Sequence, residues 1–112
     1  TNLARAIYFR TGKDTFTDET SIRLEGVSKI LAEYKDVKFV VEGHTDNTGS
    51  DKINNELSQK RADAVRDYLI ENGFPAENIR SVGFGSANPI GDNSTSKGRQ
   101  QNRRVEILAE KM

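Results

Sequence analysis

Cysteine and tryptophan are absent from the sequence, histidine occurs once, and positive and negative side chains balance at 17 each. Without cysteine no disulfide can form, and a zinc site would depend on one histidine and carboxylates, so we expect neither a disulfide framework nor a metal centre. The balanced charge gives no field that favours nucleic acid or an anionic membrane. No apolar run approaches the roughly 20 residues that a membrane-spanning helix needs, and no signal peptide is recognisable. We therefore expect no metal, no cofactor and no nucleic-acid partner.

The length of 112 residues and a hydrophobic content of 34% suit one small domain with a single core. The chain begins at Thr1 rather than at a methionine. We expect residues 1–112 to form a single domain that is cut from a longer protein.

Hydrophobic periodicity predicts four strands and two helices in the order βαβαββ. Tyr34, Phe39 and Phe74 are expected in the core, and Gly73 followed by Pro75 is expected to end the second helix. The polar stretch 86–101 predicts a long surface loop with room for a helical turn. The predicted strands cover residues 6–9, 37–42, 79–85 and 102–110, and the helices cover 19–34 and the segment between Ser50 and Gly73.

This order predicts an α/β (α+β) fold, a two-layer sandwich in which both helices cover one face of a mixed sheet. Right-handed crossovers make the first three strands parallel, and the third strand, which is weakened by glycine, is expected at an edge. Ligands of such sheets bind beyond the carboxyl ends of the strands. Asp46 and the start of the second helix should therefore lie together.

The segment 37–69 is the centre of this arrangement, because an apolar strand ends at an acid and a helix then carries an arginine on its apolar side. Leu57, Ala64, Val65, Tyr68 and Leu69 define that side, and Arg61 projects between Leu57 and Val65. An arginine in that direction must reach solvent or meet an anion, since burying it unpaired is costly. From the residues alone, an internal ion pair with Asp46 or Glu42 and an external anionic ligand both remain open.

Two other features have simple structural interpretations. His44 stands beside Asp46, but no serine or cysteine nucleophile accompanies it in a recognisable motif, so we expect no catalysis and interpret His44 as a strand-end residue that holds the turn. Arg103 and Arg104 open the last strand, and two arginines at such a place are expected to be solvated.

The chain closely resembles the peptidoglycan-binding domain of the OmpA family, which includes the peptidoglycan-associated lipoprotein and the stator protein MotB. The resemblance covers nearly the whole chain. The residues that carry it are Val40-Val-Glu-Gly-His-Thr-Asp46, then Asn54, Leu57-Ser58, Arg61-Ala62 and Val65, then Gly83-Phe-Gly85 and Pro89-Ile90, and finally Gly98-Arg99 and Asn102-Arg-Arg-Val-Glu-Ile107.

The resemblance implies a four-stranded sheet in the order 1-4-2-3 with an antiparallel fourth strand, and a ligand that is the diaminopimelate residue of the peptidoglycan stem peptide. Asp46 would contact the ligand's ammonium and Arg61 its carboxylate. The other ligand-binding positions implied are Asn54, Thr45, Leu57 and Arg103, the last at the start of strand four. Arginine's planar fork suits a carboxylate, which favours a ligand role for Arg61 over a purely internal ion pair.

The resemblance further implies a non-enzymatic domain at the periplasmic face of the outer membrane, which anchors an outer-membrane protein to the cell wall. The domain itself would not be membrane-inserted but tethered through upstream sequence. One departure stands at Arg10, where many members carry an acid, although Phe9 and Lys13 still align. The alternatives are a stator-type wall-anchoring domain and a structural or protein-interaction module without ligand binding.

Overall fold

The computed structural model describes residues 2–8, through their backbone, and residues 16–110. Within these segments four strands alternate with three α-helices along the chain. In chain order they are β1 (Asn2–Tyr8), α1 (Asp18–Leu31), β2 (Phe39–Gly43), α2 (Asp51–Glu71), β3 (Ile79–Gly83), α3 (Ser96–Asn102) and β4 (Arg104–Ala109). Among the described residues no helix combines the length and the apolar character that a membrane crossing requires.

The strands form one mixed sheet in the spatial order β1-β4-β2-β3. β4 runs antiparallel to both of its neighbours, and β2 and β3 are parallel. The three earlier strands therefore point the same way, as right-handed crossovers require. The predicted mixed α+β architecture is confirmed, and β3 lies at an edge as expected.

The core lies between one face of the sheet and the helices. Because side chains alternate along a strand, every second residue of β2 and β4 faces α1 and α2. Burying one such side chain stabilises the fold by about 1.5–3 kcal/mol. The core side chains are Leu24, Val27 and Leu31 of α1, Ala62, Val65 and Leu69 of α2, Phe39 and Val41 of β2, Val105 and Ile107 of β4, with Phe74 and Ile79.

The first helix has a capped start, but its predicted end is wrong. Thr17 caps α1 by accepting a hydrogen bond from the backbone N–H of Thr20 at 3.1 Å. The helix ends at Leu31 and a 3₁₀ turn over Ala32–Tyr34 follows, so Tyr34 is 45% exposed instead of buried. A 3₁₀ turn has three residues per turn, which rotates Tyr34 off the apolar face.

The structure also differs from the predicted elements near the C-terminus and at the starts of two strands. The predicted loop 86–101 contains the start of α3, and Arg103 caps that helix instead of opening the last strand, which begins at Arg104. β1 begins at Asn2, four residues earlier than expected, and β2 begins at Phe39. The expectations for Phe9, Arg10 and Lys13 concern positions outside the described residues.

Two glycines let α2 approach the sheet more closely than any other residue would allow. A Cβ atom at Gly43 would overlap the backbone carbonyl of Ser58, and one at Gly83 would overlap the backbone nitrogen of Gln59. The backbone of α2 therefore rests directly on the carboxyl ends of β2 and β3. This contact sets the distance between the middle of α2 and the residues that follow β2.

Side chains of α2 also cover the outer edge of β3. The Gln59 amide donates to Ser81 O at 3.3 Å and accepts from Gly83 N–H at 2.9 Å. Arg66 Nε donates to Ile79 O at 2.9 Å. These are backbone groups that an edge strand would otherwise leave open to another strand. Helix side chains thus bond to three backbone groups of β3 that the sheet does not pair.

We expect Gly43→Ala to lower the free energy of unfolding by about 1–3 kcal/mol or more, because the added methyl group overpacks a rigid backbone contact. Gly26→Ala is the matched control, since a Cβ there would meet no atom within 4 Å apart from its chain neighbours and the backbone of its own helix. In the interior of α1 that change should raise the free energy of unfolding by about 0.5–1 kcal/mol. Urea denaturation measures both. Equal effects of the two substitutions would show that α2 does not rest on Gly43.

Candidate functional site

The turn between β2 and α2 is held in place from both sides. After Gly43, the backbone N–H of His44 donates to Arg104 O at 2.9 Å, and that of Thr45 donates to Gly85 O at 2.9 Å. His44, Thr45 and Asp46 are buried, with exposed fractions of 2%, 4% and 3%. The turn is thus an extension of the sheet beyond β2, and this confirms the interpretation of His44 as a residue that holds it.

α2 begins where the sequence predicts. Ser50 caps it by accepting a hydrogen bond from the N–H of Ile53 at 3.2 Å, and Gly49 adopts a φ of 88° that suits glycine. The cap directs the first turns of α2 back over the end of β2. The buried side of the helix between Asn54 and Arg61 then faces the buried turn.

The buried face of α2 is more polar than its apolar pattern predicts. Leu57 and Tyr68 are only half-buried, whereas the fully buried positions include polar residues of the N-terminal half. Those buried positions are Asn54, Ser58, Arg61, Ala62, Val65 and Leu69. Arg61 has no exposed surface, and its Nη1 donates to His44 O at 3.1 Å. Arg61 therefore lies under the turn, in the direction that the helical spacing indicated.

Both carboxylate oxygens of Asp46 accept hydrogen bonds. Its Oδ1 accepts from Thr48 N–H at 2.8 Å, and its Oδ2 accepts from Arg103 Nη1 at 2.9 Å. Burial would raise the pKa of the Asp46 carboxyl, but the hydrogen bonds from Arg103 and Thr48 outweigh it and hold the pKa below its usual value. The internal partner described for Asp46 is thus Arg103, 57 positions away in the chain, and Asp46 is ionised at neutral pH.

One cavity brings these side chains together. It has a volume of about 100 Å³ and lies between the β2–α2 turn, α2 and the end of α3. All six predicted site residues line it, together with Thr48 and Ile53; the six are Thr45, Asp46, Asn54, Leu57, Arg61 and Arg103. The wall therefore combines one carboxylate with two guanidinium groups and an apolar patch.

Two polar atoms in the cavity wall have no hydrogen-bond partner in the described part of the chain. They are Thr45 Oγ1 and Asn54 Nδ2, and both belong to side chains that are at least 96% buried. A buried polar atom without a partner costs roughly 1–3 kcal/mol. A ligand that supplies a donor or an acceptor inside this cavity would remove that cost.

A second group of charges lies on the opposite face of the sheet. Arg104 is 2% exposed and its Nε pairs with Glu106 Oε2 at 2.6 Å, while its Nη2 donates to Asn88 O at 3.0 Å. The expectation that Arg104 would be solvated is therefore wrong. Its partner stands two positions along the same strand, hence on the same face.

His44 belongs to that second group, and its protonation makes the stability of the protein depend on pH. Its ring stacks on Phe84 with centroids 5.6 Å apart, and its Nε2 lies 3.9 Å from Glu106 and 4.0 Å from Glu42. Burial, and then the charge of Arg104, lowers the pKa of His44 to about 4. His44 is thus neutral at pH 7. Among the described residues no cluster of three His, Asp or Glu side chains could hold a metal ion.

Comparisons with known proteins identify a matching family and several similar proteins. The model of the OmpA family matches residues 8–103. The chain is 43% identical over 106 residues to "Probable lipoprotein YiaD" of Escherichia coli strain K12, covering 95% of this chain and 48% of that protein. It is 47% identical over 85 residues to "Peptidoglycan-binding protein ArfA" of Mycobacterium tuberculosis H37Rv, covering 76% of this chain and 26% of that protein.

A solved structure matches over the whole fold. The C-terminal domain of Helicobacter pylori MotB superposes with a TM-score of 0.87 at 30% identity, covering 95% of this chain and 84% of that one. The chain thus corresponds to almost all of a separately solved domain, but it spans only between a quarter and a half of the two curated relatives.

We expect the stability of the protein to fall as the pH drops from about 6.5 to about 4, because the unfolded chain protonates His44 first. In that window the unfolded state binds more protons, so the free energy of unfolding rises with pH, by up to about 3 kcal/mol in total at ~1.4 kcal/mol per pKa unit. His44→Phe, which keeps an aromatic ring against Phe84, should flatten this dependence. Urea melts at several pH values measure it, and equal slopes in both proteins would contradict the burial of a neutral His44.

Proposed function

The chain belongs to the OmpA family, and from that premise we propose that it binds peptidoglycan non-covalently through the diaminopimelate residue of the stem peptide. The observation that carries this proposal is one small cavity whose wall holds a buried carboxylate, Asp46, and a buried guanidinium, Arg61. The free end of diaminopimelate is a zwitterion, with an ammonium and a carboxylate on one carbon. The two charged side chains are complementary to its two charges.

Asp46 and Arg61 have separate roles in this proposal. The Asp46 carboxylate accepts the ligand's ammonium, and its lowered pKa keeps it charged at any physiological pH. Arg61 binds the ligand's carboxylate, for which its planar fork offers two parallel N–H donors. Its hydrogen bond to His44 O at 3.1 Å fixes the guanidinium in advance, so little side-chain entropy is lost on binding.

The other cavity residues supply polar and apolar complements. Thr45 Oγ1 and Asn54 Nδ2 are buried and without described partners, so each is able to bond to the ligand. Leu57, which is half-buried, lines the cavity beside Ile53. These two side chains suit the aliphatic carbons between the ends of the diaminopimelate residue.

The domain is not an enzyme. Several relatives are named for peptidoglycan binding, peptidoglycan association or cell-wall anchoring, which agrees with the prediction of a non-catalytic domain. The pKa of His44 is too low for a base that works near neutrality, and its side chain lies with Glu42 and Glu106 instead of lining the cavity.

We further propose that the domain attaches a larger envelope protein to the cell wall. One relative is named a lipoprotein, others are named outer membrane porins, and one is named for peptidoglycan binding. The chain covers 48% of the first relative and 30% of the porin from Pseudomonas aeruginosa. On this basis residues 1–112 form one domain at the periplasmic face of the outer membrane, tethered by other parts of a longer protein.

The similarity to MotB supports a second candidate, a wall-anchoring domain of the stator type. The cavity chemistry would be the same in both cases. The sequence upstream of the domain separates them, because a lipid anchor, a β-barrel and a single transmembrane helix have distinct signatures.

Asp46→Asn and Arg61→Met should each abolish the pull-down of the domain with purified peptidoglycan sacculi while leaving a cooperative thermal melt. Each substitution removes one charge that the ligand needs. Arg80→Met is the matched control, because Arg80 pairs with Glu110 at 2.6 Å but is exposed and lies outside the cavity. Sacculi that retain either charge variant as well as they retain the wild type would contradict the proposed site.

Stem peptides that contain lysine should bind at least about tenfold more weakly than those that contain diaminopimelate, and up to about a thousandfold. Both offer an ammonium to Asp46, but lysine leaves the buried Arg61 without a carboxylate. The missing carboxylate costs roughly 1.5–5 kcal/mol of binding free energy, and each ~1.4 kcal/mol corresponds to a tenfold change in Kd. Arg61→Met should narrow the difference by weakening the diaminopimelate peptide. Calorimetry with both soluble peptides measures this, and equal affinities for the wild type would refute the role of Arg61.

A further inference from the structure

The carboxylate of Asp46 already has a cationic partner within the chain. Arg103 Nη1 lies 2.9 Å from Asp46 Oδ2, and the two side chains are 15% and 4% exposed. The other carboxylate oxygen accepts from Thr48 N–H at 2.8 Å. A ligand's ammonium that approaches Asp46 therefore meets an oxygen that a guanidinium occupies, and it has to share or replace that partner against like-charge repulsion.

The backbone around Arg103 holds this cation close to Asp46. The N–H of Arg103 donates to Arg99 O at 3.2 Å, so the residue continues the last turn of α3. The preceding residue, Asn102, is fully buried and accepts from the N–H groups of Ile90 and Gly91 at 2.7 and 2.8 Å. A side chain tethered in this way competes at a high effective concentration, although each contact it makes is reversible.

Resting on the proposed ligand class, we propose that Arg103 is an internal competitor of the ligand, a tethered cation that occupies Asp46 and that the ligand's ammonium displaces. The exchange of one cation for another at Asp46 yields little net free energy. A ligand that offers only an ammonium therefore gains almost nothing. A ligand that also brings a carboxylate gains the contact with Arg61. The competitor therefore weakens all ammonium ligands by the same factor, and those that also contact Arg61 keep enough affinity to bind.

Two peptides and one substitution test this. The peptides are a diaminopimelate tripeptide and the same peptide with the side-chain carboxylate of diaminopimelate amidated. Arg103→Gln retains a donor at this position but removes the charge. We expect the affinities for both peptides to rise by the same factor, about three- to tenfold, because both displace the same cation. Arg99→Gln, a change of the same type in α3 outside the cavity, should leave both affinities unchanged.

A second readout follows the ion pair itself. In Arg103→Gln the pKa of the Asp46 carboxyl, measured by carbon NMR, should rise toward its ordinary value. Arg103→Lys should give intermediate affinities, since it keeps the charge without the fork. A wild type that binds the tripeptide, combined with an Arg103→Gln variant that binds either peptide equally or more weakly, would overturn the competitor role alone. A wild type that binds neither peptide nor sacculi would overturn the proposed function and this role together.

Discussion

The close contact between the backbone of α2 and the ends of β2 and β3 is the constraint on which the site depends. Only glycine fits at Gly43 and Gly83, because Ser58 and Gln59 leave no room for a side chain there. At this distance the Arg61 guanidinium lies directly beneath the His44 carbonyl, and the Ser58 hydroxyl accepts from Gly85 N–H at 2.8 Å. A larger separation between the layers would leave these buried polar groups without partners.

Several charged side chains are buried in this small domain, and ion pairs compensate most of them. Arg61 and Arg104 are among the largest fully buried side chains, and they lie on opposite sides of the sheet. Arg104 is compensated by Glu106, which restores a neutral pair on the face away from the helices. Asp46 and Arg103 form a second pair at the rim of the cavity. A fully buried pair such as Arg104 and Glu106 contributes little net stability, but removal of one partner is strongly destabilising.

Local signals made most of the fold predictable. Ser50, Gly73 and Pro75 delimit α2 by chemistry that acts within a few residues, and helical spacing alone placed Arg61 on the buried side. Tyr34 was misplaced because a 3₁₀ turn replaces the last α-turn, and both forms fit the same residues. The burial of Arg104 and the pairing of Arg103 with Asp46 could not be predicted from the residues, since they depend on contacts between distant parts of the chain. The resemblance to a family supplied the set of cavity residues, whereas periodicity supplied only their approximate positions.

The side chains of α2 that cover the edge of β3 affect how copies of the domain can pack next to one another. Gln59 and Arg66 bond to the outward-facing groups of β3, so the edge meets a neighbour with helix side chains and not with free backbone. Copies that stand side by side on a shared surface would have to break these hydrogen bonds before they could extend one another's sheets along this edge. The density of such an array would be limited by the spacing of its attachment points, and not by self-association through β3.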